Sequence, residues 1–514
     1  MSKVSVWLRF IGDVTPAVVS GIFLTLSFPH FGNAAFAWIA LVPLLLICVR
    51  ASSLRHSFIL GFVTGGVHFA GMLYWIPNVM VEFGELVPVM AASLYFLLVS
   101  YLALFPALFS VGLFIVFHRF GLIGLLCAPA LWVTTELGRL HLFTGFPWEL
   151  LGYSQTSVLP VAQLASLFGV LGLSALVVLV NSAIAFSMMS SGNRRLGSLV
   201  GIVFVLALVI SFGTWRLKSN DLFARGTPLR VAVVQGNISQ HDKWDPEFRD
   251  KIFETYLDLT NNAVAEGAEL IVWPEAATPF VFERDSVRSE SIRRIASQNK
   301  VHLLIGTTQI IQGTQTRYYN AAIMIGDTGE ITSVYRKHHL VPFGEYVPLR
   351  KALFFVSPLV ETIEDFSAGP GPETLTIGRS LVSAAICYEV IYPGLVQGFV
   401  KKGSRLLTTI TNDAWYGLTS APYQHFQQAT MRAIEQGRFL VRAANTGISG
   451  VVDPFGRVIA STSLFERHMT ISDVWLLDGR TFYSRTGDAF SYMCIALTLV
   501  AISSWPFRRY RLHQ

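Results

Sequence analysis

The chain has 514 residues, of which 52% are hydrophobic and only 14% charged, with a formal net charge of +6. Soluble chains carry about 25% charged residues, so a chain that meets water along its whole length is excluded. The basic balance does not describe a nucleic-acid binder either, because much of the arginine sits at the ends of apolar runs and no Lys/Arg stripe interleaved with aromatics occurs.

A membrane-spanning helix needs about 20 apolar residues. Seven such stretches precede residue 217, at roughly 10–29, 34–50, 56–78, 86–117, 121–140, 161–189 and 197–216, and an eighth lies at 489–506. Pro106 predicts a kink in the long fourth stretch. Gly61, Gly65, Gly66 and Gly71 in the third predict close helix approach.

The charges between these stretches alternate. Lys3 and Arg9 precede the first. Arg50 and Arg55 divide the second from the third, Arg119 follows the fourth, Arg194 and Arg195 divide the sixth from the seventh, and Arg508, Arg509 and Arg511 end the chain. The opposite loops are nearly bare, Arg139 excepted. Lys and Arg stay on the cytoplasmic side, so both termini are expected there, and seven crossings put residues 217–488 outside the cytoplasm. The first stretch also has the basic start and apolar core of a secretory signal; its removal would not change the sidedness of the rest. Three parts follow: a transmembrane domain at 1–216 with seven helices, an extracytoplasmic domain at 217–488, and a C-terminal transmembrane helix with a cytoplasmic tail at 489–514.

From Leu229 the periodicity changes. Strands are predicted at Leu229–Ile238, Glu269–Trp273, Val301–Ile310, Tyr318–Gly326, Leu381–Cys387, Arg405–Thr411, Gly450–Asp453 and Arg457–Ala460. Helices are predicted at Pro246–Gly267, Ser286–Lys300, Tyr392–Gly403 and Ala421–Arg438. This alternation describes an α/β domain built on a central sheet. In such folds the reactive groups gather just beyond strand ends. Glu275, Lys337 and Cys387 are placed there.

Cys48, Cys127 and Cys494 lie in apolar stretches, which leaves Cys387 alone in the soluble part with no disulfide partner. A lone thiol is either a small buried hydrophobe or a reactive group. A thiol is mostly protonated at neutral pH, so attack on a carbonyl needs a base, and the developing oxyanion needs a donor. A glutamate, a lysine and a cysteine at three strand ends supply these parts. His338 and His339 are neighbours whose side chains point to opposite faces of an extended stretch. No zinc-like Cys/His spacing and no Gly-rich phosphate loop occurs, so neither a metal nor another cofactor is expected.

The segments Trp273-Pro274-Glu275, Tyr335-Arg336-Lys337 through Glu345, Ala385-Ile386-Cys387-Tyr388-Glu389 and Thr411-Asn412-Asp413-Ala414-Trp415 occur in this order. Together they resemble the nitrilase superfamily over about residues 228–475. With seven apolar stretches before and one after, the whole chain resembles the apolipoprotein N-acyltransferases; Leu340 to Pro348 is especially close to that family. The resemblance implies an αββα sandwich on the periplasmic side of a bacterial inner membrane, beside a bundle of eight spans. It implies Cys387 as nucleophile, Glu275 as general base, and Lys337 with the backbone N–H after Cys387 as oxyanion donors. Glu345 orients Lys337, while Tyr388, Glu389 and Trp244 match positions at the site. Tyr388 and Trp244 could instead simply pack, and Glu389 could be a solvated charge.

The implied reaction is ping-pong. An acyl chain of a phospholipid, phosphatidylethanolamine by expectation, moves to Cys387 as a thioester and then to the N-terminal amine of a diacylglyceryl-cysteine apolipoprotein. Residues 340–361, with Phe343, Phe354 and Phe355, form either a mobile arm that dips into the membrane interface or a buried loop. Trp148, in Gly145–Glu149, is placed on the same side and lines the site from the membrane half. The same triad would also serve a membrane-tethered amidase that releases acid to water. A transporter or receptor with a non-catalytic domain, or a scaffold whose triad is coincidental, are the other readings; the spans carry no conspicuous row of ionisable residues, Glu136 being the nearest.

Overall fold

A computed structural model describes residues 3–218, 226–342, 344–346 and 366–503. Phe343 and residues 347–361 of the apolar stretch lie outside the described residues. The chain divides into two compact units, residues 1–74, 92–213 and 488–514 in one, and 75–91 and 214–487 in the other.

The first unit is helical. By length and composition, three stretches among the described residues could cross a membrane: Pro88–Thr144, Ala165–Met189 and Gly192–Lys218. Gly12–Leu26, Ala34–Val49 and Ala489–Ser503 are shorter apolar helices. The stretch Pro88–Thr144 holds what the sequence divides into two, the boundary being Gly121 at φ +62°. The helix Pro88–Phe120 runs on through Pro106. Helix Leu54–Met72 ends before the expected limit at 78, and the chain resumes as the short helix Ile76–Glu82, which groups with the second unit. The glycines explain how the helices close up. A Cβ on Gly61 would stand 2.3 Å from the Pro106 carbonyl oxygen, and one on Gly65 would stand 2.8 Å from Ala103 Cα. Gly71 meets Thr25 in the same way, whereas Gly66 faces open space.

The second unit is α/β. Its strands are β1 (Thr227–Gln235), β2 (Leu270–Val272), β3 (His302–Ile311), β4 (Arg317–Ile325), β5 (Ile331–Arg336), β6 (Leu375–Ile377), β7 (Ser380–Val382), β8 (Ala385–Ile386), β9 (Leu407–Thr411), β10 (Leu440–Ala444), β11 (Gly450–Val452), β12 (Val458–Ser461) and β13 (His468–Leu476). One sheet has the order β13-β1-β2-β3-β4-β5 and another β12-β11-β10-β9-β8, while β6 and β7 make a separate hairpin. The two larger sheets meet face to face where β1 packs on β10.

Val231 to Val234 are all fully buried, because β1 is covered on both faces and so reads as an unbroken apolar run. Ala232 and Val234 join a core with Ile252, Tyr256 and Leu259 of helix Arg249–Ala265 and Ile292 and Ala296 of helix Ser286–Asn299. Pro393–Lys401 and Ala421–Gln436 pack together on the other sheet's side, the latter against β10. The layers are therefore helix, sheet, sheet, helix.

The predicted strand Leu381–Cys387 is two strands. Ser380–Val382 pairs with β6, and the chain then crosses to place Ala385–Ile386 beside β9. Ser383 makes the crossing by donating its N–H to the Leu406 carbonyl at 3.1 Å.

Candidate active site

Three strand ends converge. Glu275 follows β2 by three residues and is buried. Its approach depends on Gly306 in β3, where a Cβ would lie 2.3 Å from the Pro274 carbonyl oxygen and 2.6 Å from Glu275 Cα. Lys337 is the first residue after β5 and only 1% exposed; its N–H donates to the Asn320 carbonyl on β4 at 2.8 Å. Cys387 follows β8 directly, buried, at φ +54°. That left-handed backbone is uncommon for a residue with a side chain, and it persists only where the surroundings hold it.

The carboxylates gather round the ammonium. Lys337 Nζ donates to Glu345 Oε1 at 2.9 Å and to Glu275 Oε1 at 3.5 Å. Asn320 Nδ2 bridges the same two oxygens, at 2.7 Å from Glu275 and 2.9 Å from Glu345. The Asn412 N–H donates to Glu275 Oε2 at 2.9 Å. Both oxygens of the Glu275 carboxylate are thereby fixed.

Burial pushes the Cys387 thiol up to about 12; the charge of Glu275 adds to the shift and Lys337 opposes it. Burial also works against the charge on Lys337, but Glu345 and Glu275 outweigh it and hold the ammonium above the usual lysine range. The pair at rest is a neutral thiol beside a firmly protonated lysine.

Glu389 is not a solvated charge. It is fully buried, and its Oε1 accepts from the Tyr335 hydroxyl at 2.7 Å and from the N–H groups of His338 and His339 at 2.8 and 3.0 Å. Its Oε2 accepts from the Ile386 N–H at 2.7 Å. One carboxylate thus ties the chain just after Lys337 to the chain just before Cys387. Tyr388 is buried, its ring 5.3 Å from Tyr392 and 6.1 Å from His339. His338 Nδ1 lies 2.8 Å from the Gly369 carbonyl oxygen, while the His339 ring lies on Tyr392 at 3.9 Å. Among the described residues no group of three or more His, Cys, Asp or Glu could hold a metal ion.

Trp244 is 53% exposed, so packing in a core does not account for it. Its neighbour Lys243 turns inward instead, 3% exposed, with Nζ donating to the Glu275 carbonyl at 3.1 Å. Trp148 belongs to the helical unit, where it is buried and its backbone oxygen accepts from Arg139 at 2.8 Å.

Several of these partners were not read from the sequence. Asn320 is an ordinary strand residue until β4 pairs with β3 and β5. Lys243 carries no signal beyond its place beside Trp244. Behind Cys387 lies a buried cluster: Arg442 Nη2 donates to Asp413 Oδ2 at 2.8 Å, His425 Nδ1 stands 3.0 Å from Asp413 Oδ1, and His425 Nε2 stands 3.2 Å from the Cys387 carbonyl oxygen. The segment 75–91 also reaches this unit's aromatic loop, with the Phe83 ring 5.1 Å from Trp415 and Trp75 5.0 Å from Tyr416.

Residues 230–481 match the carbon-nitrogen hydrolase family model, and residues 20–183 match that of the apolipoprotein N-acyltransferase N-terminal domain. An apolipoprotein N-acyltransferase of Geobacter metallireducens is 40% identical over 508 residues, covering 98% of this chain and 96% of that one. One of Methylococcus capsulatus is 36% identical over 484 residues, covering 92% of each chain. Among solved structures, a Nesterenkonia AN1 amidase from the nitrilase superfamily aligns over 52% of this chain and 97% of its own, at 22% identity and a TM-score of 0.38. On near full-length likeness to its relatives, the chain belongs to the apolipoprotein N-acyltransferase family.

Proposed function

We propose that the protein transfers an acyl chain from a phospholipid, through a thioester on Cys387, to the N-terminal amine of diacylglyceryl-cysteine apolipoproteins. The observation that carries this reading is the buried Glu275–Lys337 pair, with Glu345 and Asn320 fixing it, beside a lone buried thiol held at a left-handed turn.

Glu275 takes the proton of the Cys387 thiol as Sγ attacks the ester carbonyl. Burial pushes the thiol so far up that almost none of it is thiolate at neutral pH, so a base whose charge it feels does what solvent cannot. The oxyanion forms against the Lys337 ammonium and the N–H after Cys387. Collapse breaks the ester C–O bond, and the leaving alkoxide takes the proton from Glu275. The acceptor amine then attacks the thioester, Glu275 takes its proton, and the amide forms as the thiol is restored.

Embedding the chain in a membrane suits a lipid donor. Drawing an acyl chain into water is unfavourable by about 0.8 kcal/mol per CH₂, and an enzyme embedded beside the lipid avoids most of that. The alternating arginines support an inner-membrane protein of eight spans with both termini cytoplasmic, a transmembrane domain at 1–216, the catalytic domain at 217–488 on the periplasmic side, and a last helix and tail at 489–514. Phosphatidylethanolamine is the donor, Trp244 and Tyr388 contact the lipid substrates, and Glu389 braces the site.

The test is turnover of detergent-purified protein with phosphatidylethanolamine and a diacylated lipopeptide. N-acylated lipopeptide and lysophospholipid in equal amounts are expected. Release of free fatty acid without dependence on the lipopeptide amine would establish the membrane-tethered amidase or hydrolase instead.

A further inference from the structure

Two ammonium groups, those of Lys337 and Lys243, act on Glu275 and Cys387, and the reaction proposed above uses the first. Lys243 is buried, and Nζ donates to the backbone oxygen of Glu275 at 3.1 Å. Its chain neighbours do not share this position. Asp242 and Asp245 are partly exposed, Asp245 accepts from the Glu247 N–H at 2.9 Å, and His241 and Trp244 are exposed. The charged or titratable groups that act on the Lys243 ammonium are Glu275 and Cys387. Beyond Glu275 come Lys337 and Glu345, and beyond Cys387 the cluster of Asp413, His425 and Arg442.

Charges of like size offset one another pairwise. With Glu275, Glu345, Lys337 and Lys243 all charged, these four groups sum to zero around an uncharged thiol, before Glu389 and the Asp413–Arg442 pair are counted. Moving the thiol proton from Cys387 Sγ to the Glu275 carboxylate keeps that sum at zero, since one negative charge disappears as another forms. Without the Lys243 charge the same step takes place with one positive charge fewer beside Glu275 and Cys387. The developing thiolate and the tetrahedral oxyanion are then both disfavoured, and buried charges feel this strongly because little solvent screens them.

We propose that Lys243 is a positioning residue for this site: its buried ammonium holds the Glu275 backbone in place and supplies the second positive charge against which the Cys387 thiolate and the oxyanion form. Burial pulls this ammonium down to about 8, with Glu275 and Cys387 working in the opposite direction. The assistance is therefore present below pH 8 and lost above it. The proposal rests on the acyl-transfer reading for its consequence in catalysis, but its effect on the thiol does not.

The test uses the full-length protein in detergent, wild type, Lys243→Arg and Lys243→Met, with alkylation of Cys387 by iodoacetamide followed by peptide mass spectrometry from pH 6 to 10. Acyl-enzyme formation from phosphatidylethanolamine is measured over the same range. In wild type, alkylation rises with pH and then flattens near pH 8, because the thiolate loses its second cation there. Lys243→Arg keeps the neutral-pH rate and continues to rise, since a guanidinium does not lose its proton in this range. Lys243→Met is slower at pH 7 by about tenfold, the effect of a cation lost from near a thiolate, and shows no break. A purely structural lysine would shift the melting temperature and leave the shape of the profile alone. If Lys243→Met folds and alkylates with the wild-type rate and profile, the proposal is wrong. If Lys243→Met does not fold, Lys243→Arg decides alone: a break that stays near pH 8 overturns the proposal, and its disappearance supports it. If the alkylation profiles behave as expected but no acyl-enzyme forms, the acyl-transfer reading falls and the role of Lys243 toward the thiol stands.

Discussion

Cys387 and Glu389 show how much a single residue type leaves open. Both are buried, one a thiol kept protonated and the other a carboxylate with four donors around it, and nothing in composition distinguishes them from ordinary core and surface residues. Two expectations follow at this scale. Asn320→Ala removes the bridge between Glu275 and Glu345. Hydrogen bonds to charged groups are worth about 1.5–3 kcal/mol, which corresponds to a roughly tenfold to hundredfold slower acyl-enzyme formation if all of it appears in the barrier. Stopped-time intact-mass kinetics at unchanged melting temperature check this. Glu389→Gln replaces an acceptor by a group that is half donor, among four donors. Unfolding free energy is expected to fall by about 1–3 kcal/mol, measured by denaturant titration, with Glu389→Ala falling further. The strand-end positions of Glu275 and Cys387 were legible in the sequence because the run of apolar, partly β-branched residues before each one is visible; Lys337 was legible only through its motif, because β5 before it carries too weak a pattern. Asn320 and Lys243 were not, because one depends on strand register and the other on a loop turning inward.

At the scale of elements, apolar periodicity located the helices of the second unit to within a few residues. Ser286–Asn299 opens where Asp285 accepts from the Arg288 N–H at 3.0 Å and closes at Lys300 in the left-handed region at φ +56°. Replacing Ile292, fully buried under the first sheet, with Ala is expected to destabilise this unit by about 2–5 kcal/mol. Chemical denaturation reads that loss, while the rate per folded molecule stays unchanged. The strands β5, β10 and β13 were not read from the sequence. β10 carries Arg442 in its middle, which looks like a surface residue until Asp413 is placed beside it. β13 is an edge strand with polar positions, paired antiparallel with β1 from the far end of the domain. The Arg442–Asp413 pair also sets a pH dependence. Burial pushes the Asp413 carboxyl up, but Arg442 and His425 outweigh it and hold it below the usual range. A depressed carboxylate stabilises the fold above the unfolded value of about 4, and that contribution is lost as pH falls through the folded value. The difference in melting temperature between wild type and Asp413→Asn is therefore expected to be widest near neutrality and to shrink below pH 4.

For the molecule as a whole, hydropathy divides the sequence into apolar and mixed parts, and the structure groups residues 75–91, inside the apolar part, with the α/β unit. That segment escaped because a run counted as one span from 56 to 78 breaks after Met72, and nothing in its apolar composition marks the break. The central proposal is that a buried thiol, its proton taken by Glu275 and its oxyanion met by Lys337, carries the acyl chain of a membrane lipid. The most direct measurement is intact mass spectrometry of wild type and Cys387→Ala incubated with phosphatidylethanolamine and no acceptor. Wild type is expected to gain the mass of one acyl chain, removable by neutral hydroxylamine, and then to pass it to a diacylated lipopeptide, while Cys387→Ala gains nothing. An acyl adduct of equal yield on the alanine variant, or none on folded wild type with any phospholipid donor, would contradict the account.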